Sequence, residues 1–359
     1  MKVRQLCTRV EFGDAVSSHV VEIARALSSW GFENEIFTNT ADEYGSQVTR
    51  PDCSYEPELD APDDILIYHY SVYCENYRQY LQSPAKRILI FHNITPERYF
   101  EAYDKGVAAF CGLGRRLLGE LKGCDLALGD SEFNRLELVE AGFDPDRTGV
   151  LPIFVDYEGL RRAAGGAGPM DGYDRSFKVL FVGRNVPNKR IEDVIRAFYY
   201  YNRCINSDSD LFLVGASWVD RYDAQLQWLL DSFGLWGRVH FTGRVSDADL
   251  AACYEKSDVF LSMSEHEGFA VPLVESMAFD LPIVAYRSTA IPYTLGKAGL
   301  MFDTKDFAMV GELLEGVRTD GKLREAVIAS QRERLEAFSP ASVRSQLELA
   351  LDRVRGGAQ

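Results

Sequence analysis

Two carboxylates flank a short stretch at the start of a predicted helix. Glu267 and Glu275 lie eight residues apart, and Pro272 between them suits the first position of a helix. Glu267 then lies in the loop before the helix, and Glu275 about one turn inside it. The amides between them point outward at the helix N-terminus, where the helix dipole and N–H groups favour a phosphate. These amides belong to Gly268, Phe269, Ala270 and Val271.

Two basic side chains follow a second predicted strand, Phe177–Val182. Arg184 and Lys189 lie in the turn that joins this strand to the next helix. Arginine can hold two oxygens of an anion in a fork, and lysine acts as a point charge. The whole chain has 39 Lys and Arg against 54 Asp and Glu, a net charge of −15, so its overall field repels nucleic acid and anionic lipid. Any anion must be captured by such local cations. The alternative is a solvated loop end and a helix-start residue.

Three further turns could approach a ligand. Gly13 joins the first strand to the first helix, and without a Cβ it lets the backbone come close to a bound group. His92 ends the predicted strand Arg87–His92. A histidine in this position is more often a hydrogen-bonded structural residue, and that alternative is left open. Gly243 and Arg244 follow another strand, in a turn that could equally be an ordinary entry to a helix.

Short β-branched runs alternate with helical segments along the chain, which predicts α/β architecture with parallel sheets. The glycine-rich run Ala163–Pro169 separates two such series. We therefore expect two doubly wound, Rossmann-like domains, residues 1–165 and 175–339, with ligands at the carboxyl ends of their strands in a cleft between the domains. A break at Ser339-Pro340 interrupts the helical tail. The final helix, about residues 340–356, can then pack elsewhere.

The predicted strands are those with apolar or β-branched runs of four to eight residues. In the first series they are Val3–Val10, Asn34–Thr38, Ile65–Tyr70, Arg87–His92, Leu126–Gly129 and Gly149–Phe154, with a helix at His19–Trp30. In the second series they are Phe177–Val182, Leu211–Val214, Val239–Thr242, Val259–Met263 and Ile283–Tyr286.

Glu267 and Glu275 match the E-x7-E motif of the retaining GT-B glycosyltransferases of family 4, the glycogen synthase and mannosyltransferase type. The surrounding residues, S-E-H-E-G-F-x-V-P-L-x-E-S-M-A, also resemble this family, and the turn with Arg184 and Lys189 is similar to its V-G-R-x4-K-[GR] segment. The resemblance covers essentially the whole chain. It implies a GT-B fold with an acceptor-side first domain, a donor-side second domain and a C-terminal helix that crosses back to the first.

The resemblance also implies roles for single residues. Glu267 would face the donor sugar, Glu275 would hold the nucleotide ribose, and Arg184 with Lys189 would grip the diphosphate. Gly243 and Arg244 lie where the family has its nucleobase wall. His92 matches the family's active-site histidine, facing the cleft. The loop at Gly13 departs from the usual Gly-Gly, because Asp14 and Ala15 follow it.

The implied activity is transfer of a hexose, with mannose as the first candidate, from a GDP- or UDP-hexose to a saccharide or lipid-linked glycan in polysaccharide biosynthesis. The implied route is front-face attack without a metal ion or further cofactor. Asp208 and Asp210 form a D-x-D, but it lies in a loop away from the strand carboxyl ends. Two alternatives are kept: a nucleotide-sugar 2-epimerase, which needs no acceptor, and an idle binding subunit, in which one of the four charged site residues would be lost.

The sequence also bears on where the protein works. The longest apolar runs are strand-sized, whereas a membrane helix needs about 20 largely apolar residues. The N-terminal residues lack the apolar region of a signal peptide. We therefore expect a cytoplasmic protein without a transmembrane segment. Peripheral contact with a membrane is left open, and no nucleic-acid partner is expected.

Overall fold

The computed structural model describes residues 1–166, 168–173 and 177–356, and the chain divides into two compact units. The first unit contains residues 1–98, residues 106–155 and the chain from Ala337 onward. The second contains Tyr99–Lys105 and Asp156–Glu336. Each unit has one parallel β-sheet with helices around it, which confirms the predicted α/β class.

The first sheet has seven strands, whose bounds are β1 (Lys2–Val10), β2 (Glu33–Ala41), β3 (Arg50–Pro51), β4 (Ile65–Tyr70), β5 (Lys86–Phe91), β6 (Leu126–Gly129) and β7 (Thr148–Val150). Their order across the sheet is β3-β2-β1-β4-β5-β6-β7. All six residues of β4 are buried, as expected for a central parallel strand covered on both faces. The predicted strand Gly149–Phe154 is wrong beyond Val150, the last residue of β7 and of its register with β6.

The second sheet has six strands, whose bounds are β8 (Phe177–Val182), β9 (Ser209–Val214), β10 (Val239–Gly243), β11 (Val259–Ser262), β12 (Ile283–Tyr286) and β13 (Leu300–Phe302). Their order is β10-β9-β8-β11-β12-β13. In the central pair, Val179 of β8 lies opposite Val259 of β11. The core beside this sheet is formed largely by leucine, isoleucine, phenylalanine and methionine side chains.

The helices of the first unit cover its sheet. They are α1 (Ala15–Ser29), α2 (Glu43–Ser46), α3 (Tyr77–Gln82), α4 (Lys105–Leu117), α5 (Glu132–Glu140) and, at the end of the chain, α14 (Pro340–Gly356). Helix α1 begins four residues before the predicted His19, because the carboxylate of Asp14 accepts a hydrogen bond from the amide of Ser17 and caps the helix there.

The helices of the second unit are α6 (Tyr157–Arg162), α7 (Ile191–Cys204), α8 (Asp220–Phe233), α9 (Asp247–Lys256), α10 (Val271–Ala278), α11 (Ile291–Leu295), α12 (Phe307–Thr319) and α13 (Gly321–Leu335). Short 3-10 turns complete the chain at Asp52–Ser54, Pro57–Leu59, Glu97–Tyr99, Leu118–Leu121, Pro145–Arg147, Pro187–Lys189 and Glu336–Phe338. Among the described residues, no helix combines the length and the apolar character needed to cross a bilayer.

The last helix belongs to the first unit. After α13 and a short 3-10 turn, α14 begins at Pro340, so the predicted break is confirmed. Val343, Leu347, Leu351 and Val354 follow one another at spacings of three or four residues and are all buried in the core of the first unit. This spacing places them on one face of the helix. Helix α14 is therefore the predicted crossover helix.

The units differ from the predicted domains at the boundary after Val155. Prediction assigned residues up to 165 to the first domain, but α6 belongs to the second unit, because Leu160 is buried in that unit's core together with Met170. The predicted linker Ala163–Pro169 includes residue 167, which lies outside the described residues. The same is true of the predicted boundary at residue 175.

Strand order reverses between β1 and β4 in the first sheet and between β8 and β11 in the second. Ligand sites of open α/β sheets lie beyond the carboxyl ends of the strands at such a switch point. Gly13 follows β1, Arg184 follows β8 and Glu267 follows β11. Three of the residues selected from sequence thus come directly after strands that border a switch point.

Candidate functional site

The central contact of the second unit is an ion pair between Lys189 and Glu267. The Nζ atom of Lys189 lies 2.6 Å from Oε1 and 2.5 Å from Oε2 of Glu267. The two residues follow the neighbouring strands β8 and β11. Glu267 is only 8% exposed, so loss of either partner would leave a charge with little solvent. An ammonium has three N–H donors, and Lys189 can therefore hold Glu267 and donate to an anion at the same time.

Two polar residues that sequence analysis missed hold the Glu267 loop in place. The amide of Glu267 donates to Oγ1 of Thr289, at 2.8 Å. The side-chain amide of Asn188 donates to the carbonyl of His266, at 2.9 Å. Asn188 precedes Lys189, so the same turn that provides the cation also fixes the backbone of the loop with the carboxylate. Neither residue has a periodic or charge signal that could have identified it.

An ion network beside this pair was also missed. The Nζ of Lys305 donates to Oδ2 of Asp193 and to Oε1 of Glu265, each at 2.8 Å. Nε of Arg190 lies 3.3 Å from the same two oxygens. Burial opposes ionisation of Asp193, but the combined effect of Lys305, Arg190 and Arg196 lowers its pKa below the usual value. The network ties the start of α7 to the loop after β11.

The turn before α10 is held in one backbone conformation. Ala270 has a φ of 69°, a left-handed conformation that is uncommon for a residue with a Cβ. The hydroxyl of Thr294 donates to the carbonyl of Phe269, at 2.5 Å, and holds the turn. Helix α10 begins at Val271, one residue before the predicted Pro272. Gly268 thus lies in the turn that enters the helix, and its predicted anion contact stays a prediction.

Glycines end three adjacent strands at this edge of the sheet. Gly183, Gly215 and Gly243 follow or end β8, β9 and β10. The amide of Gly183 donates to the carbonyl of Val214, and the amide of Gly215 donates to the carbonyl of Gly243. A Cβ on Gly215 would lie 2.0 Å from the carbonyl oxygen of Gly183, and the φ of Gly215 is 147°. Only glycine fits there. Gly243 has open space where a Cβ would be, and the next residue, Arg244, is exposed.

The side chain of Arg184, which follows β8, contacts the ring of Trp218. Its guanidinium carbon lies 5.3 Å from the centre of the Trp218 ring, within the distance of a cation–π contact. Trp218 follows Gly215 in the loop after β9 and is 47% exposed. The predicted cation is thereby paired with a tryptophan that no sequence pattern had selected.

Glu275, on the first turns of α10, contacts a buried phenol. The hydroxyl of Tyr254 donates to Oε2 of Glu275, at 2.6 Å. Burial is the main reason why the pKa of Glu275 rises to about 7, while the hydrogen bond from Tyr254 opposes this shift and the charge of Asp247 adds to it. The carboxylate is thus partly protonated near neutral pH. Its other oxygen, Oε1, is an acceptor that could bind a hydroxyl group.

In the first unit, Gly13 occupies the predicted turn between β1 and α1. Its φ is 68°, so a side chain at this position would be strained. The amide of Phe12 donates to Asp42, at 2.8 Å, and Asp14 caps α1. The turn is held on both sides of Gly13 by carboxylates.

His92 lies in a chain of buried side chains in the first unit. Nε2 of His92 is 3.0 Å from Nδ1 of His69, and Nε2 of His69 is 2.8 Å from Oε1 of Gln5. On the other side, Nδ1 of His92 is 2.9 Å from Oδ2 of Asp130. The side chains of His92 and Asp130 have 0% and 1% exposure.

The directions of these hydrogen bonds can be deduced from Gln5. Its side-chain N–H donates to Val20, which leaves its oxygen to accept from Nε2 of His69. Burial holds the pKa of His69 well below its usual value, so this ring is neutral and its Nδ1 accepts from His92. A single further proton then lies between His92 and Asp130, whose pKa is raised by burial against the opposing effect of His92. Both nitrogens of His92 are engaged, and its predicted catalytic role stays a prediction.

Residues 172–334 match the family described as "Glycosyl transferases group 1". O-antigen chain mannosyltransferase B of Escherichia coli is 25% identical over 71% of this chain and 67% of its own length. The MMP alpha-(1->4)-mannosyltransferase of Mycolicibacterium hassiacum is 28% identical over 58% of this chain and 49% of its own length. Phosphatidyl-myo-inositol mannosyltransferase of Mycobacterium leprae is 30% identical over 55% of this chain and 51% of its own length. The matches to the last two span about half of those relatives.

Solved structures resemble the whole chain. HepE of Anabaena in complex with UDP has a TM-score of 0.71 and 17% identity, covering 98% of this chain and 100% of that one. Sucrose-phosphate synthase of Thermosynechococcus elongatus has a TM-score of 0.76 and 16% identity, covering 100% of both chains. At such identities these similarities show the fold alone.

The two doubly wound sheets and these neighbours show that the chain has the GT-B fold. The match to the group 1 glycosyltransferases covers less than half of the chain and lies in the second unit, which contains Lys189, Glu267 and Glu275. The ion pair between Lys189 and Glu267 brings the turn with Arg184 and Lys189 next to the E-x7-E segment, at the end of the second sheet.

The raised pKa of Glu275 predicts a pH-dependent gain in stability for Glu275→Gln. The folded state holds this proton up to about pH 7 and the unfolded chain only to about pH 4.3, so the unfolding free energy falls as pH rises between these values. We expect Glu275→Gln to be more stable than wild type by about 1–3 kcal/mol at about pH 8, since one pKa unit equals about 1.4 kcal/mol. At about pH 4 the difference should largely vanish.

Urea unfolding at both pH values measures this difference. Glu325→Gln, at an exposed position of α13, is the matched control and should change stability by less than about 0.5 kcal/mol. Equal stability of wild type and Glu275→Gln at high pH would contradict the prediction.

Proposed function

We propose that this chain is a retaining mannosyltransferase that moves a mannosyl group from a nucleotide-diphospho-mannose to a saccharide or lipid-linked glycan. The observation that carries the proposal is the Lys189–Glu267 pair at the carboxyl edge of the second sheet. The names of three relatives, all mannosyltransferases, support mannose. GDP-mannose is the first candidate donor. A UDP donor with glucose or galactose is the second, favoured by the HepE structure with UDP and glucose.

The proposed donor lies along the edge of the second sheet. Lys189 and Arg184 bind the diphosphate, because they are cations at a glycine-lined turn in an otherwise acidic chain. Glu275 accepts hydrogen bonds from ribose hydroxyls through Oε1, while Tyr254 holds its other oxygen. Glu267 binds hydroxyls of the donor sugar. Gly243 and Arg244 line the nucleobase, and the turn from Gly268 to Val271 provides amides to the phosphates.

In the proposed front-face reaction, the bond between the anomeric carbon and the diphosphate oxygen breaks as the acceptor oxygen bonds to the same face of that carbon. The electron pair of the broken bond stays on the diphosphate, and the acceptor's proton passes to a phosphate oxygen. Lys189 and Arg184 offset the charge that develops on the leaving group. These cations make a metal ion unnecessary in this proposal.

A substrate panel tests the activity. GDP-mannose, UDP-glucose and UDP-galactose are each incubated with methyl α-mannoside or octyl α-mannoside in excess EDTA, and nucleoside diphosphate and product are quantified. We expect acceptor-dependent release of GDP and an α-linked product by NMR. A β-linked product would contradict retention, and a requirement for added Mg²⁺ would contradict the proposed leaving-group stabilisation. A new nucleotide sugar formed without acceptor would instead indicate a 2-epimerase.

Variants of Lys189 and Glu267 should separate diphosphate binding from binding of the donor sugar. Lys189→Ala removes a charge-assisted hydrogen bond of about 1.5–3 kcal/mol, so nucleoside diphosphate should bind at least tenfold more weakly by calorimetry. Glu267→Gln should not weaken that affinity, because nucleoside diphosphate lacks the donor hexose and Lys189 keeps its charge, but it should lower turnover. Lys297→Ala, at an exposed position of the same unit, is the matched control. Unchanged affinity in Lys189→Ala would contradict the proposal that Lys189 binds the diphosphate.

His92→Ala tests the remaining catalytic residue. We expect it to lower the thermal stability, since buried Asp130 loses its partner, and to leave the affinity for nucleoside diphosphate nearly unchanged. If His92 assists transfer, a loss of about 2–3 kcal/mol in transition-state stabilisation lowers turnover about 30- to 150-fold. Turnover is measured at a temperature at which circular dichroism shows the variant to be folded. Full turnover under that condition would remove His92 from the catalytic residues.

A further inference from the structure

One short segment from the first half of the chain belongs to the second unit. Tyr99–Lys105 follows strand β5 and ends at the first residue of helix α4, and the residues on either side of it belong to the first unit. It carries three aromatic residues, Tyr99, Phe100 and Tyr103. Each of them contacts a different part of the second unit.

Phe100 contacts the tryptophan that holds Arg184. Its ring lies 6.0 Å from the ring of Trp218 at an angle of 84°, an edge-to-face arrangement that aromatic pairs prefer. Phe100 is only 3% exposed. The guanidinium of Arg184 lies over the same Trp218 ring, at 5.3 Å. Phe100, Trp218 and Arg184 therefore form a continuous series of contacts.

Tyr103 and Tyr99 fix the segment at two further points. Tyr103 donates to Gln225, at 2.9 Å, and its ring lies 5.3 Å from that of Tyr222. The hydroxyl of Tyr222 accepts a hydrogen bond of 2.8 Å from the amide of Ile191, the first residue of α7. The ring of Tyr99 lies 6.0 Å from that of His266, next to Glu267. The segment thus contacts the loops after β9 and β11 and helix α8.

We propose that Trp218, supported by Phe100, is a positioning residue that orients Arg184 toward the diphosphate of the donor. This inference rests on the proposed function, since it takes Arg184 as a diphosphate ligand. A free arginine side chain loses much rotamer freedom when it binds an anion. Contact with a tryptophan face that is itself held by Phe100 restricts the guanidinium before the ligand arrives, so less entropy is lost on binding.

The affinity for nucleoside diphosphate measures this effect. GDP and UDP are titrated into the full chain by calorimetry, and the tighter of the two is used as the probe. We expect Trp218→Ala to weaken binding about fivefold, which equals about 1 kcal/mol, an ordinary value for a cation–π contact. Trp218→Phe keeps an aromatic face and should restore most of the affinity. Trp228→Ala, which removes a tryptophan that is 66% exposed on α8, should leave the affinity unchanged.

A double-mutant cycle with Arg184→Ala separates positioning from direct binding. If Trp218 acts through Arg184, then Trp218→Ala has no further effect in the Arg184→Ala background. The same fivefold loss in both backgrounds would mean that Trp218 contacts the nucleotide itself, and would overturn the inference. So would an unchanged affinity in Trp218→Ala when Arg184→Ala binds weakly.

Phe100 is tested by the same titration. We expect Phe100→Ala to weaken binding in the same direction as Trp218→Ala, and to have no effect once Trp218 is alanine. Because Phe100 is buried, Phe100→Leu is the second variant, and both are measured below their unfolding temperatures. Wild-type affinity in a folded Phe100 variant would limit the positioning role to Trp218. If wild type binds neither GDP nor UDP, or if Arg184→Ala binds normally, the donor assignment of the proposed function fails, and this inference fails with it.

Discussion

The pairing of Lys189 with Glu267 is the constraint on which the second unit depends. Opposite charges at the ends of neighbouring strands attract each other strongly when little water surrounds them, but each is costly if its partner moves. The backbone around them is accordingly held by many bonds, from Asn188 and Thr289 to the network of Lys305. Adjacent glycines keep side chains away from the same edge. The result is a fixed pair of charges near a sheet edge that ends in glycines.

The two units contribute different kinds of chemistry. In the second unit, charged groups are paired with one another after the ends of strands, an arrangement suited to binding an anion and hydroxyl groups. In the first, His92 lies in a buried chain of hydrogen bonds in which protons are confined to a few positions. A ring held at both nitrogens has one orientation and one neighbour for each proton. Such a group is rigid whether or not it touches a substrate.

Much of the fold could be predicted because buried parallel strands are continuous apolar runs. Ile65–Tyr70 and Ile283–Tyr286 have the bounds expected from sequence, whereas β3 and β13, with two and three residues, are too short to show a pattern. Strand ends also located Glu267 and Lys189. Thr289, which accepts from Glu267, and Trp218, which contacts Arg184, could not be found in the same way. Both reach their partners through tertiary contacts between distant segments. Neither residue type is unusual in an ordinary loop.

The position of α14 has a consequence for the order in which the protein acquires its structure during synthesis. Val343, Leu347 and Leu351 belong to the same core as Ile65 and Ile88, although more than half of the chain is made between them. Domains generally fold as units when their residues have emerged from the ribosome. The first unit therefore cannot complete its core until the second has been synthesised. The first unit begins to be synthesised before the second but completes its core after it. Until α14 has been made, the apolar surface that this helix covers stays exposed.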